Sequence, residues 1–254
     1  MAMHSAHGAF RELLRRRQPL VGTLLSLPSP EIAEICADAG FDWLFIDMEH
    51  GLLDIVTAQR MVQAVGHRCA CILRVPANEP NWICKALDTA AAGLIFPHVN
   101  SGVDAAAAAR AAKYPPQGTR SIGIARAQGY GTLIQECIDG ANHDTVLIAQ
   151  AEHIEAARHI DEIIAEPGID AVFVGPFDLS ASLNKPGNIT DPEVQQAINR
   201  IRDACAEKAT PCGIIVRDAE GARQALAEGY SLVCVATDTL LLADAVRQVI
   251  RGIR

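Results

Sequence analysis

The sequence predicts a (β/α)8 barrel that takes up residues 1–254 as a single domain. Three observations lead there. Short apolar runs alternate with longer helix-like runs, the pattern of parallel strands joined by helical crossovers. The alternation repeats eight times along the chain. A length of 254 residues, half of them hydrophobic, suits one large core of this kind. An open doubly wound sheet shares the alternation, but no Gly-x-Gly-x-x-Gly follows the first strand, which weakens its dinucleotide-binding version.

Taken in order, the segment Met1 to Arg17 carries Arg11, Arg15, Arg16 and Arg17 with no apolar stretch after them. It reads as a short amphipathic helix at the barrel bottom, not a secretory signal. Strands are expected near 21–27, 42–47, 70–75, 93–96, 144–150, 170–174, 211–216 and 231–236. Helices are expected near 29–39, 57–66, 80–91, 102–112, 155–165, 192–208, 218–228 and 238–251. Ser29-Pro30-Glu31 and Asp191-Pro192-Glu193 each supply a cap, a proline for the first turn and an acid that the helix dipole favours. Gly40, Gly93 and Gly229 are read as stops before the following strands.

One region, 113–143, breaks the rhythm as a long insertion before strand five. It holds Tyr114-Pro115-Pro116-Gln117-Gly118-Thr119-Arg120 and a Gly-rich run from Ser121 to Gly131. With Arg120 and Arg126 it is expected either to close over an anionic ligand or to make subunit contacts.

Composition narrows the partners. A formal net charge of −8 argues against nucleic acid, and no apolar run has the length of a membrane span. The eight cysteines are scattered and include no Cys-x-x-Cys pair. Cys69-Ala70-Cys71 puts both thiols on one face of a strand, which reads as a buried reduced pair and not a zinc site. A reducing, cytoplasmic compartment is expected.

Barrel chemistry gathers at the carboxyl ends of the strands. Strand five ends in Gln150-Ala151-Glu152, and strand six in Gly175-Pro176-Phe177-Asp178. Two carboxylates, each just past a different strand, form half a shell for a hard divalent cation such as magnesium or manganese; oxygen ligands also accept cobalt. Strand two leads into Asp47-Met48-Glu49-His50, and strand three ends at Arg74. Alternation puts Trp43, Phe45 and Asp47 on one face, and Gln150 with Glu152 on another. Each residue alone has a structural explanation, as a cap, an ion-pair partner or a surface group. Their joint arrival at one rim favours a site, because converging charges would otherwise repel or be desolvated at a cost.

Such a set suits enolisation of a 2-oxo acid: the acids hold a cation, Arg74 stabilises an oxyanion and His50 moves protons. The rival route needs a Schiff-base lysine. The chain has four lysines, Lys85, Lys113, Lys185 and Lys208, and none falls on an expected strand. No Gly-x-Ser-x-Gly elbow supports serine chemistry.

Four segments carry a family resemblance: Phe41 to His50, Leu73-Arg74-Val75-Pro76, Tyr114 to Arg120, and Val174 to Ser180. Together they resemble the HpcH/HpaI aldolase/citrate lyase family of metal-dependent pyruvate aldolases, over about Val21 to Leu242. The resemblance implies that Glu152 and Asp178 ligate the metal and that Arg74 stabilises the enolate oxygen. It implies proton transfer by His50, oriented by Asp88 and near Asp47. Gln150 matches a polar position beside the metal ligand, and the backbone of Gly175, Pro176 and Phe177 would receive the carboxylate of pyruvate. Phe177 and His98 depart from the family pattern and are read as specificity elements.

The expected activity is reversible cleavage of a 4-hydroxy-2-oxo acid to pyruvate and an aldehyde. The alternatives are a citrate-synthase-like or oxaloacetate-decarboxylating enzyme on the same site, and a non-catalytic binding barrel. The resemblance also implies a homo-oligomer, a hexamer built as a trimer of dimers, with the apolar C-terminal helix against a neighbour.

Overall fold

The chain is described here by a computed structural model, which covers the backbone of residues 3–254 and side chains from residue 8 onward. Strands β1 (Leu20–Leu25), β2 (Trp43–Asp47), β3 (Ala70–Arg74), β4 (Gly93–Phe96), β5 (Val146–Ala151), β6 (Ala171–Val174), β7 (Cys212–Val216) and β8 (Leu232–Thr237) close into a barrel in sequential order. Every pairing is parallel, including β1 with β8.

The helices are α1 (Met3–Arg15), α2 (Pro30–Asp38), α3 (Ile55–Val65), α4 (Pro80–Asp88), α5 (Gly102–Ala112), α6 (Ile134–Asp144), α7 (Ile154–Arg158), α8 (Ile160–Ala165), α9 (Pro176–Ser182), α10 (Pro192–Glu207), α11 (Ala219–Ala227) and α12 (Asp238–Ile253). All eight expected strands form within two residues of their expected bounds. The Ser29 and Asp191 side chains cap α2 and α10 as their sequences require.

Two large apolar clusters make up most of the core, and a small third one, Ala90 with Tyr114, Ala127, Cys137 and Ala141, packs the insertion. Of the large ones, one lies between the barrel and its helices. The other fills the barrel with inward residues of the strands, among them Leu24, Trp43, Phe45, Ile72, Ile95, Ile148, Phe173 and Cys234. Phe10 and Leu14 of α1 join that inner cluster, so the N-terminal helix plugs the amino end, as expected. Arg11 fastens the plug: its Nε donates to Asp170 Oδ1 at 2.8 Å, and Asp170 Oδ2 accepts from the Leu147 N–H. Met1 and Ala2 lie outside the described residues.

The insertion lies before β5 as expected but is not a bare loop. It contains α6 and a 3-10 turn at Gly129–Gly131. It leaves α5, which runs back from the carboxyl end of β4, so it starts on the amino rim, opposite the strand ends where a barrel site lies. Arg120 is buried there, 3.0 Å from Asp88 and over the Tyr114 ring at 4.6 Å. Arg126 donates to the Thr89 carbonyl. Neither arginine reaches the strand ends, so the insertion does not close over its own chain's site.

Gly40 and Gly229 take positive φ as helix stops, but Gly93 does not. Gly93 opens β4, where a Cβ would lie 2.3 Å from the Val146 carbonyl oxygen. Close strand approach is what requires glycine there.

Candidate active site

At the carboxyl rim a cavity of about 310 Å3 is lined by His50, Arg74, Gln150, Gly175, Pro176, Phe177 and Asp178 over an apolar floor that includes Phe45 and Phe173. The alternation read from sequence holds: Trp43 and Phe45 point inward below Asp47, and the Arg74 guanidinium lies 5.2 Å above the Phe45 ring. A larger cleft of about 420 Å3 opens between α1 and the amino ends of β2 and β3. Its charged lining residues are already engaged, Arg68 with Asp38 and Glu34, Asp42 with the Val21 N–H, and Arg126 with the Thr89 carbonyl.

The buried charges interlock. Arg74 grips Asp47 with two bonds, Nε to Oδ1 at 2.9 Å and Nη2 to Oδ2 at 2.7 Å, and its Nη1 donates to Gln150 Oε1 at 3.3 Å. Gln150 turns its amide nitrogen to Glu152 Oε2. Asp47 Oδ1 also accepts the Glu49 and His50 backbone N–H groups, so one carboxylate sets both the arginine and the loop that carries His50. The His50 ring itself is 66% exposed. Burial opposes the charge on Arg74, while its bonds to Asp47 and the fields of Asp47, Glu49 and Glu152 hold its pKa above the ordinary value.

Glu152 is 2% exposed. Burial pushes its carboxyl pKa up; the His98 N–H and ring oppose this, and the charges of Glu49 and Asp178 add to it. Gly175 makes room for it: a Cβ there would lie 2.8 Å from Glu152 Cβ and 3.2 Å from Glu152 Oε2. Asp178 stands exposed in the first turn of α9, on the cavity wall.

The donors suit a divalent cation. Asp47, Glu49 and Glu152 place three buried or nearly buried carboxylates against the single guanidinium of Arg74. The surplus of negative charge favours a cation. Glu49, His98 and Glu152 present ligand atoms within 4.8 Å of one another. Glu49 Oε2 is buried with no aligned hydrogen bond, although it lies 3.1 Å from Arg74 Nη1.

The structure therefore brings together Asp47, His50, Arg74, Gln150, Glu152, Gly175, Pro176, Phe177 and Asp178 at one rim. It does not bring Asp88 there. Asp88 ends α4 on the amino rim, where its Oδ1 accepts from Arg120 at 3.0 Å and Gln128 at 3.1 Å. A helix that follows a strand runs back to the other end of the barrel, so His50 and Asp88 cannot meet within one chain. Glu49 was missed by the sequence reading; its signal was its spacing of two from Asp47 at a strand end. His98 lies among the candidate metal donors, a role its position at the end of β4 did not reveal.

The sequence profile of the HpcH/HpaI aldolase/citrate lyase family matches residues 21–245. A hydroxypyruvate/pyruvate aldolase of Paraburkholderia phytofirmans is 36% identical over 249 residues, covering 95% of each chain. A 4-hydroxy-2-oxovalerate aldolase of Rhodococcus jostii is 38% identical over 247 residues, covering 95% of this chain and 94% of its own. Among solved structures, an HpcH/HpaI aldolase/citrate lyase family protein from Burkholderia cenocepacia superimposes with a TM-score of 0.94 at 36% identity, over 97% of this chain and 99% of that one. A citrate synthase superimposes with a TM-score of 0.83 at 26% identity, over 96% of this chain and 98% of that one.

Proposed function

The chain belongs to the HpcH/HpaI aldolase/citrate lyase family and is an aldolase, and from that premise we propose how its site works. It cleaves a 4-hydroxy-2-oxo acid reversibly to pyruvate and an aldehyde, with a divalent ion, magnesium or manganese or cobalt, on Glu152 and Asp178. The observation that carries this reading is the convergence of His50, Arg74, Gln150 and Asp178 on one cavity, with Glu152 buried beside it.

When bound, the ion acts as a Lewis acid on the 2-oxo group. The chain's own residues do the rest. Arg74, held rigid by Asp47, directs its remaining donor capacity at the oxygen where enolate charge develops. Gln150 links Arg74 to Glu152 and keeps the two in register. The backbone of Gly175 to Phe177 receives the pyruvate carboxylate. His50, exposed at the mouth, exchanges the proton with the aldehyde oxygen or with water.

The assembly is a homo-oligomer, and a hexamer built as a trimer of dimers is the form we favour. Two features support this. Leu240, Leu241, Leu242, Val246, Val249 and Ile250 of α12 are exposed on their own barrel. The expected orientation of His50 by Asp88 also needs a second chain, given their opposite rims. The eight free cysteines, most of them buried, support a reducing cytoplasm.

The test is deuterium exchange into the methyl group of pyruvate, followed by NMR on protein stripped with a chelator and resupplied with magnesium or manganese. Metal-dependent exchange that disappears in Asp178→Ala is expected. Exchange that survives without metal would overturn the reading. The likeness to a citrate synthase favours one rival, condensation from oxaloacetate, and turnover of oxaloacetate with an acyl-CoA would reveal it.

A further inference from the structure

His98 follows Pro97 at the carboxyl end of β4 and takes a left-handed backbone conformation, φ +53°. Few non-glycine residues adopt it, and it persists where the surroundings hold the residue in place. Here the surroundings are Glu152 and Glu49. The His98 backbone N–H donates to Glu152 Oε1 at 2.7 Å. That conformation also carries the imidazole between the two acids, with Nδ1 3.1 Å from Glu152 Oε1 and Nε2 3.0 Å from Glu49 Oε1.

Both acids are buried, at 9% and 2% side-chain exposure, whereas the imidazole is 65% exposed and reachable from solvent. Glu49 reaches His98 through Oε1, while its buried Oε2 lies 3.1 Å from Arg74 Nη1. Two ligands on neighbouring positions of an octahedral ion, each about 2.1 Å from it, stand about 3 Å apart. The Nδ1 to Oε1 separation matches that spacing.

We propose that His98 Nδ1 is a ligand of the divalent ion beside Glu152, with Glu49 accepting a hydrogen bond from His98 Nε2 to hold the ring in place. This rests on the metal-dependent reading above. The arrangement is the carboxylate–histidine–metal relay that fixes tautomer and ring orientation in many metal sites. A proton displaced from Nδ1 on loading leaves to solvent across the exposed ring edge. The consequence is selectivity: an imidazole nitrogen in the donor set favours cobalt and manganese over magnesium, relative to an all-oxygen set.

The experiment uses the full-length protein loaded with Mn2+ and read by electron spin-echo modulation, which detects a directly bound nitrogen without any turnover. The expected result is nitrogen coupling in the wild type that disappears in His98→Gln. Titration with Co2+ should show binding weakened about 10-fold or more in His98→Gln and about 10-fold or more in Glu49→Gln, with Mg2+ binding changed less. Bound Mn2+ with no nitrogen coupling in the wild type would overturn the proposal and leave metal dependence intact. Coupling that persists in His98→Gln would overturn it as well, by assigning the nitrogen elsewhere. No Mn2+ binding at all would overturn both this proposal and the reading on which it rests.

Discussion

Arg74 and Asp47 are joined by two parallel hydrogen bonds, Nε to Oδ1 at 2.9 Å and Nη2 to Oδ2 at 2.7 Å, with side chains 7% and 3% exposed. Their strands are neighbours in the barrel, and in register Asp47 is the direct partner of Arg74. The planar guanidinium fork matches a carboxylate in this way, and a lysine ammonium does not.

Removing one partner of a buried pair leaves the other charged and desolvated. Arg74→Met is expected to lower unfolding stability by about 3–5 kcal/mol in denaturant titration. Arg74→Lys should keep more of the stability yet lose roughly 100-fold or more in kcat, because the remaining guanidinium donors that Asp47 holds toward the developing oxyanion are gone. Equal kcat in Arg74→Lys and wild type would show that the arginine only supports the fold.

Gly175 lets β6 and α9 approach Glu152. Gly175→Ala puts a Cβ 2.8 Å from Glu152 Cβ and 3.3 Å from Gln150 Nε2. Overpacking of this kind should cost about 1–3 kcal/mol of stability. Displacing Glu152 should weaken metal binding about 10- to 100-fold by calorimetry, the size of effect seen when a ligand loses its support.

Metal-free protein and loaded protein should respond to pH in opposite ways. Burial raises the Glu152 pKa in the folded chain, so the folded state holds this proton more tightly than the unfolded state does. The associated stability is complete below the unfolded pKa and is lost as pH rises through the folded value. Metal needs the ionised carboxylate, so its stabilising effect grows over the same window. Thermal unfolding with chelator and with Mn2+, from about pH 4 to about pH 7, should show a gap in Tm that widens with pH. A gap constant across that range would remove Glu152 from the ligand set.

His50→Ala and Asp88→Ala are each expected to lose activity, and mixing them should restore it. If the pair forms between chains, random reassembly leaves roughly a quarter of the sites with both groups intact. Activity measured after mixed refolding checks this. Failure of the mixture to recover, with each variant assembling normally, would remove Asp88 from the site.

Much of the molecule was legible because barrels write themselves into sequence locally. The inward alternation of Trp43, Phe45 and Asp47, and of Gln150 with Glu152, follows from strand geometry alone. Glu152, Asp178 and Arg74 could be placed at one rim because every parallel strand ends on the same side. The α6 helix was hidden by the glycines and prolines that precede it, which read as a loop. α9 was hidden by its brevity.

What the sequence by itself determined is the closed parallel barrel, the family and the rim on which the chemistry gathers. Those depend on periodicity and on residues close together along the chain. What only the tertiary structure decided is which groups meet across the barrel. It set His98 between Glu49 and Glu152, drew Gln150 to Arg74, and carried Asp88 and the insertion to the far rim. Contacts between residues distant in sequence, 54 positions from His98 to Glu152 and 76 from Arg74 to Gln150, depend on barrel closure and on the return direction of each helix, and no local pattern records either.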